Sequence, residues 1–103
     1  MTYKQYEVIL VNLDPTIGSE IQKTRPCLII SPNEMNFDNL MVAPMTSTDK
    51  DYPTRVKLSA KSFVVLDQIR TISTKRVVKK LPIELTHKNI KDIKHIIKIM
   101  LVD

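Results

Sequence analysis

The chain has 103 residues, of which 43% are hydrophobic and 26% are charged, so it is not a disordered tail. No apolar run approaches the roughly 20 residues that a membrane span needs, and the N-terminus lacks the pattern of a signal peptide. The single cysteine, Cys27, excludes an internal disulfide and a cysteine-based metal site. We expect one domain over residues 1–103, located in a reducing cytoplasm and without a membrane partner.

Charge and glycine content narrow the functional classes further. Sixteen Lys and Arg residues stand against eleven Asp and Glu, which gives a net charge of +5. This balance favours an anionic partner such as nucleic acid. The alternative is that the lysines only keep the protein soluble, which would give the same net charge. Gly18 is the only glycine. Glycine-rich phosphate loops and dinucleotide fingerprints, which need several glycines, are therefore excluded.

In chain order, segments rich in β-forming residues predict five strands and a weaker sixth. They cover residues 6–13, 26–31, 40–45, 54–58, 63–66 and, as the weaker candidate, 76–81. The polar stretch from Asp14 to Thr24 holds the only glycine and is predicted to be a long loop. Pro44 lacks a backbone donor, so we expect that end of the third strand to lie at an edge or a bulge.

The last segment changes to a helical period, and Thr86 is in position to serve as its N-cap. Lysines fall on the opposite face of this predicted helix. Short strands followed by one terminal helix predict a mainly β fold, a small and strongly bent antiparallel sheet or barrel. The apolar positions are Ile90, Ile93, Ile96, Ile97, Met100 and Leu101.

Three polar clusters lie at the boundaries of predicted strands, in residues 23–25, 46–48 and 67–70. In a small barrel such strand ends can converge on one rim. The guanidinium of Arg25 supplies planar charged donors, and the hydroxyls of Thr46, Ser47 and Thr48 supply adaptable ones. Together they form a plausible cradle for a phosphodiester. The alternative is that these residues are loop-capping hydroxyls and surface charges.

The positions of the histidines and of the cysteine do not indicate a metal site or a reactive thiol. His87 and His95 are eight residues apart in the predicted helix and have no cysteine partner or zinc motif, so we expect solvated or interface histidines and no metal. Cys27 lies in an apolar run and is expected to be a small buried hydrophobe. No cofactor is implied.

Four blocks of this sequence together resemble the MazF/PemK family of toxins. Each block is modest alone, but their order and spacing match the family over nearly the whole chain. They are residues 11–20 with 24–26, then 42–48, 52–55 and 65–71.

The resemblance implies a metal-independent endoribonuclease that cleaves single-stranded RNA at short sequences and acts as the toxin of a type II toxin–antitoxin pair. It implies an SH3-like, CcdB/PemK-type barrel that works as a homodimer and binds a cognate MazE-like antitoxin. By resemblance, the catalytic residues would be Arg25, Thr48 and Glu20. The RNA-binding residues would be Lys23, Thr46, Ser47, Asp67 and Gln68, and the loop from Asp14 to Thr24 would form a flap over RNA.

The sequence departs from the family in its backbone turns. Tyr6 stands where a glycine is usual, a glycine is absent at residues 60–62, and Pro82 replaces another. Two other functions stay open. One is a non-cleaving toxin that inhibits a protein target, as CcdB-type toxins inhibit gyrase. The other is an RNA-binding barrel without chemistry, which the scarcity of aromatic residues disfavours.

Overall fold

The computed structural model describes residues 2–13, 23–48 and 52–102. Its elements are seven strands and one helix. The strands are β1 (Val8–Asn12), β2 (Thr24–Ile29), β3 (Asn39–Thr46), β4 (Arg55–Ser59), β5 (Ser62–Val65), β6 (Arg70–Ser73) and β7 (Val77–Leu81), and the helix is α1 (His87–Leu101). Three short 3₁₀ turns, Asn33–Met35, Leu66–Gln68 and Thr74–Arg76, connect some of them.

All strand pairs are antiparallel and belong to one sheet with the order β4-β5-β3-β2-β1-β7. The long central strand β3 has two partners on its outer side. Its N-terminal half pairs with β6, from Asn39 opposite Ser73 to Val42 opposite Arg70, and its C-terminal end pairs with β5. Among the described residues no pairing closes this sheet into a barrel, because β4 and β7 stand at its two ends.

Alternate side chains of the inner strands are buried on both faces of the sheet, which explains why β1 and β2 are almost continuously apolar. One face carries Ile9, Val11, Cys27 and Ile29, and the other carries Val8 and Leu28, all at most 1% exposed. The helix covers the second face through Ile93, which is fully buried. A single core cluster on each face thus stabilises the bent sheet.

The helix begins where the sequence predicts. The Thr86 hydroxyl accepts a hydrogen bond from the Asn89 amide at 3.1 Å, and the Asn89 side chain accepts one from the Thr86 amide at 3.1 Å. These reciprocal bonds satisfy two backbone donors at the helix start. Lys91, Lys94 and Lys98 are exposed, as their spacing predicts.

Two sequence expectations need correction. For Pro44 the sequence predicts an edge or a bulge, and the edge is wrong, because β3 is an interior strand and Pro44 pairs with Cys27 of β2. The missing backbone donor coincides with the place where β3 exchanges β6 for β5 as its outer partner. Strand β6 was not predicted, since only Ile72 of its four residues is buried.

The backbone at Tyr6 retains the conformation that a glycine would adopt. Tyr6 has a φ of 69°, in the left-handed region, and its amide donates to the Ile29 carbonyl at 2.8 Å. A residue with a Cβ pays roughly 1–2 kcal/mol for this conformation. The turn that leads into β1 therefore has a left-handed backbone at a residue that is not glycine.

Candidate functional site at the end of strands β2 and β3

The N-terminal end of β2 and the C-terminal end of β3 lie side by side, because the two strands are antiparallel neighbours. Cys27 pairs with Pro44, and continuing this register outward puts Arg25 level with Thr46. Arg25 is also paired with Val11 of β1, so its backbone is held inside the sheet while its side chain is exposed. The register thus brings the predicted arginine to the strand end that carries the predicted hydroxyls.

The segment that leaves β3 is held by hydrogen bonds to the backbone of Thr48. The Thr48 amide donates to the Thr46 hydroxyl at 3.2 Å, and the Thr48 carbonyl accepts from Nη1 of Arg55 at 2.8 Å. Thr46 is half-buried, whereas Ser47 and Thr48 are exposed. Because both bonds use backbone groups of Thr48, they fix the backbone of this segment and leave its hydroxyl out of these two contacts.

Basic side chains surround the same end of the sheet. Lys23 directly precedes β2, is exposed, and has a left-handed φ of 67°. Its carbonyl accepts from the Leu13 amide at 2.9 Å, which ties the ends of β1 and β2 together. Lys23 therefore lies next to Arg25 at the start of β2, where two positive charges favour an anionic ligand.

Sequence reasoning missed a further basic pair, Lys75 and Arg76, in the turn before β7. Nη1 of Arg76 donates to the carbonyl of Asn12 at 3.2 Å, and Asn12 pairs with Thr24 at the start of β2. This contact links sequence positions 64 residues apart. No local signal identifies it, because it depends on the pairing of β1 with both β2 and β7.

Asp67 and Gln68 are located in the 3₁₀ turn between β5 and β6. This turn lies beside β3, where β3 exchanges one outer partner for the other. Asp67 is exposed and Gln68 is half-buried. The two residues therefore lie along the flank of β3, nearer to its middle than to its C-terminal end, which leads to Thr48.

Two predicted features fall on parts of the chain that the structure leaves out. Glu20, the predicted third catalytic residue, lies outside the described residues. The predicted flap from Asp14 to Thr24 is described only at Lys23 and Thr24.

Cys27 is not a nucleophile of this site. Burial raises the pKa of its thiol to about 12, and the nearby Arg70 guanidinium offsets only part of this effect. The thiol therefore stays protonated near neutral pH, and the expectation of a small buried hydrophobe is confirmed, since Cys27 is fully buried. Its sulfur contacts the Arg25 carbonyl at 3.7 Å, so it packs beneath the strand end.

The histidines and acidic residues form no metal cluster in the part of the chain that the structure describes. His87 and His95 are both exposed on the helix. A separate finding concerns membranes: within residues 2–13, 23–48 and 52–102, no helix combines the length and apolar character that a crossing requires.

Comparison with known proteins identifies relatives of this chain. Residues 4–101 match the model of the family described as "PemK-like, MazF-like toxin of type II toxin-antitoxin system". The endoribonuclease EndoA of Bacillus subtilis is 33% identical over 92 residues, 79% of each chain. The endoribonuclease toxin MazF of Escherichia coli K12 is 35% identical over 72 residues, and the match spans 65% of each chain.

Solved structures of similar fold cover the chain almost completely. MazF from Deinococcus radiodurans has a TM-score of 0.87 at 22% identity, covering 100% of this chain and 99% of that one. An endoribonuclease from a mycobacterial species, solved with its cognate antitoxin, has a TM-score of 0.80 at 20% identity and covers 98% and 96%. At these identities the likeness establishes the fold, an antiparallel β sheet with a C-terminal helix. With the match of the family model over residues 4–101, it follows that the chain belongs to the MazF/PemK family of type II toxins.

Proposed function

We propose that this protein is an endoribonuclease that cleaves single-stranded RNA at short specific sequences without a metal ion, as the toxin of a type II toxin–antitoxin system. The observation that supports the proposal most strongly is the pairing of β2 with β3, in which Arg25 and the Thr46–Thr48 hydroxyl segment both follow from the last paired residues, Cys27 and Pro44, toward the same end of the sheet. The relatives named endoribonuclease, EndoA and MazF, support the same activity.

RNA contains its own nucleophile, so the protein has little covalent chemistry to perform. The 2′-hydroxyl attacks the adjacent phosphorus, the 5′-oxygen of the next nucleotide leaves, and a 2′,3′-cyclic phosphate forms. Arg25 stabilises the negative charge that develops on the phosphoryl oxygens and donates a hydrogen bond to the leaving 5′-oxygen, which takes up a proton and departs as a 5′-hydroxyl. The Thr48 hydroxyl donates one hydrogen bond to a phosphoryl oxygen.

The remaining predicted residues have supporting roles. Arginine is a poor general base because its pKa is very high, so Glu20 is the candidate that removes the 2′-hydroxyl proton. Lys23, Thr46 and Ser47 bind the RNA backbone beside the scissile bond. Asp67 and Gln68 contact nucleotides along the flank of β3. We add Lys75 and Arg76 to the RNA-binding surface, because they extend the basic strand end.

The proposed partner is an acidic MazE-like antitoxin segment that covers this basic end and blocks RNA. Solved MazE–MazF complexes of Deinococcus radiodurans support such a partner. The working unit is a homodimer in the cytoplasm. Charge steering predicts fast and salt-sensitive association with the antitoxin. A variant in which the charges of the basic strand end are reversed, and which still binds the antitoxin as tightly as wild type, would contradict this mode of binding.

The test of the activity is cleavage of a single-stranded RNA by the purified protein in excess EDTA. Wild type should cut, Arg25→Ala should show no detectable cutting, and Thr48→Ala should be about 10²–10³-fold slower, the loss expected for one charge-stabilising donor. Lys94→Ala and Thr71→Ala are matched controls, because each removes an exposed charge or hydroxyl away from the strand end. Wild type that leaves RNA intact would revive the alternative of an inhibitor of a protein target, which none of the comparisons supports.

A further inference from the structure

Arg55 lies outside the proposed machinery, yet its side chain is bonded to the backbone of Thr48, one of the proposed catalytic residues. It opens β4, and Nη1 donates to the carbonyl of Thr48 at 2.8 Å, across seven positions of sequence. Arg55 belongs to residues 52–55, one of the blocks that resemble the family, but the resemblance gives it no role and the proposed reaction does not use it. Its contacts therefore require another explanation.

The Arg55 side chain is held in place before it reaches Thr48. Its backbone pairs with Val65 of β5, and its amide donates to the Tyr52 carbonyl at 3.1 Å. The guanidinium carbon lies 5.3 Å from the centre of the Tyr52 ring, within the range of a cation–π contact. An arginine clamped by sheet pairing and by an aromatic ring presents its donors in a fixed direction.

The buried part of this guanidinium separates Arg55 from an ordinary surface arginine. Its Nε is buried and has no hydrogen-bond partner among the described residues. Nε is therefore inaccessible to an RNA phosphate, and the donor that Arg55 does use points at the Thr48 backbone. Such an arrangement fits an internal support better than a phosphate contact, because a phosphate binder exposes its fork of donors.

Thr48 is consequently held on both sides of its own α-carbon. Its amide is bonded to the Thr46 hydroxyl and its carbonyl to Arg55. Fixing both peptide groups limits where the exposed hydroxyl can lie. Reacting groups lose about 10²-fold in rate when they are misplaced by as little as 1 Å.

We infer that Arg55 is a positioning residue, which holds the Thr48 carbonyl and thereby aims the Thr48 hydroxyl at the scissile phosphate. The inference rests on the proposed function for its consequence in catalysis, but the support of the Thr48 backbone is a property of the protein alone. Arg55 acts through Thr48 and does not touch the RNA.

The kinetic test uses Arg55→Met, which keeps an unbranched chain against Tyr52 but cannot donate, and Arg55→Lys, which can donate to the carbonyl. On a short RNA with one cleavage site, Arg55→Met should lower kcat about 10- to 100-fold, with KM changed less than about twofold. Arg55→Lys should recover a substantial part of kcat. Lys57→Met is the matched control, since Lys57 is an exposed cation on the same strand and face, and it should keep the wild-type kcat.

A double-mutant cycle shows whether Arg55 acts through Thr48. In the Thr48→Ala background, Arg55→Met should change kcat less than about twofold, because there is no hydroxyl left to aim. An equal loss in both backgrounds would overturn the inference, as would a raised KM at unchanged kcat or a wild-type kcat in Arg55→Met.

An activity-independent measurement separates this inference from the proposed function. The backbone amide resonances of Ser47 and Thr48 should shift, and their hydrogen exchange should accelerate, in Arg55→Met but not in Lys57→Met. If wild type cuts no RNA, the proposed function fails while these spectra still decide the support of Thr48. Unchanged resonances in Arg55→Met would overturn it. If Arg55→Met fails to fold, Arg55→Leu, which also cannot donate, serves in its place under the same criteria.

Discussion

At the scale of single residues, the site combines a permanent charge with groups that stay neutral. Arg25 supplies a guanidinium cation, and the threonine hydroxyls are neutral donors. Cys27, which packs under Arg25, remains a thiol because of its burial. The strand end therefore combines a positive charge with neutral hydrogen-bond donors.

The raised pKa of Cys27 makes a prediction about stability in alkali. The unfolded thiol loses its proton near its ordinary pKa of 9.0, whereas the folded thiol keeps it until about 12. Between pH 9 and 12 the unfolded state thus binds fewer protons than the folded state. The contribution of Cys27 to the free energy of unfolding is therefore fully present below pH 9 and is lost as the pH rises towards 12. Between pH 8 and 10.5, wild type should lose about 2 kcal/mol more than Cys27→Ala, measured by denaturant unfolding. Parallel curves for the two proteins would contradict this burial effect.

The sequence contains the identities of the site residues but not the distances between them. Arg25 and Thr48 are recognisable from their blocks, because strand boundaries concentrate polar residues. The bond of Arg55 to Thr48 and that of Arg76 to Asn12 depend on the sheet register. Residue periodicity alone does not specify that register.

At the scale of elements, the sheet is specified by apolar runs and the helix by its period and cap. Strands β1, β2, β3 and β5 are predictable because at least half of their side chains are buried and most of these are apolar. Strand β4 is predictable from its alternation of polar and apolar residues, and β7, which has no fully buried residue, is only a weaker candidate. Strand β6 is not predictable, since its place in the sheet comes from backbone pairing with β3. The predicted edge at Pro44 is wrong because it also depends on how β3 is paired. A proline lacks a backbone donor and so indicates an unpaired position, and in this sheet that position lies inside, where β3 changes its outer partner from β6 to β5.

The helix should depend most on Ile93 for its attachment to the sheet, because Ile96 and Ile97 pack against the same core but are only partly buried. Ile93 is fully buried in the core, whereas Ile99 is 54% exposed on the same helix. Ile93→Ala should lower the free energy of unfolding by about 2–5 kcal/mol, and the matched substitution Ile99→Ala should change it by about 0.5 kcal/mol or less. Thermal or denaturant unfolding of both variants measures the difference. Equal losses would show that the helix packs through another face.

At the scale of the whole molecule, a chain of this size leaves apolar surface without a partner. Phe37, Val78, Leu101 and Val102 are all more than half exposed. A small core gives modest stability, and shared apolar surface is a common way to increase it. These features support the proposed homodimer.

Sedimentation at micromolar concentration tests the dimer. The measured mass should be about twice the 11.9 kDa of the chain and should fall towards that value on dilution only at much lower concentration. A clean monomer at micromolar concentration would contradict the proposal of a dimer.

The net charge of +5 and the basic strand end act together over the molecule. They attract RNA before any specific contact forms, and the same field attracts an acidic antitoxin. Binding of both ligands should therefore weaken with salt, whereas the chemical step should not, because it depends on short contacts of Arg25 and Thr48.

The measurement that tests the central claim most directly is cleavage of an RNA in which one nucleotide, on the 5′ side of the mapped cut, carries 2′-deoxyribose. Removal of that single 2′-hydroxyl should abolish cutting at the site in excess EDTA, while the same change one nucleotide away leaves cutting unchanged. Fragments of the all-ribose RNA should bear a 2′,3′-cyclic phosphate, or its 3′-phosphate hydrolysis product, and a 5′-hydroxyl. Cutting that persists at the 2′-deoxy site, or fragments with 5′-phosphates, would contradict the account.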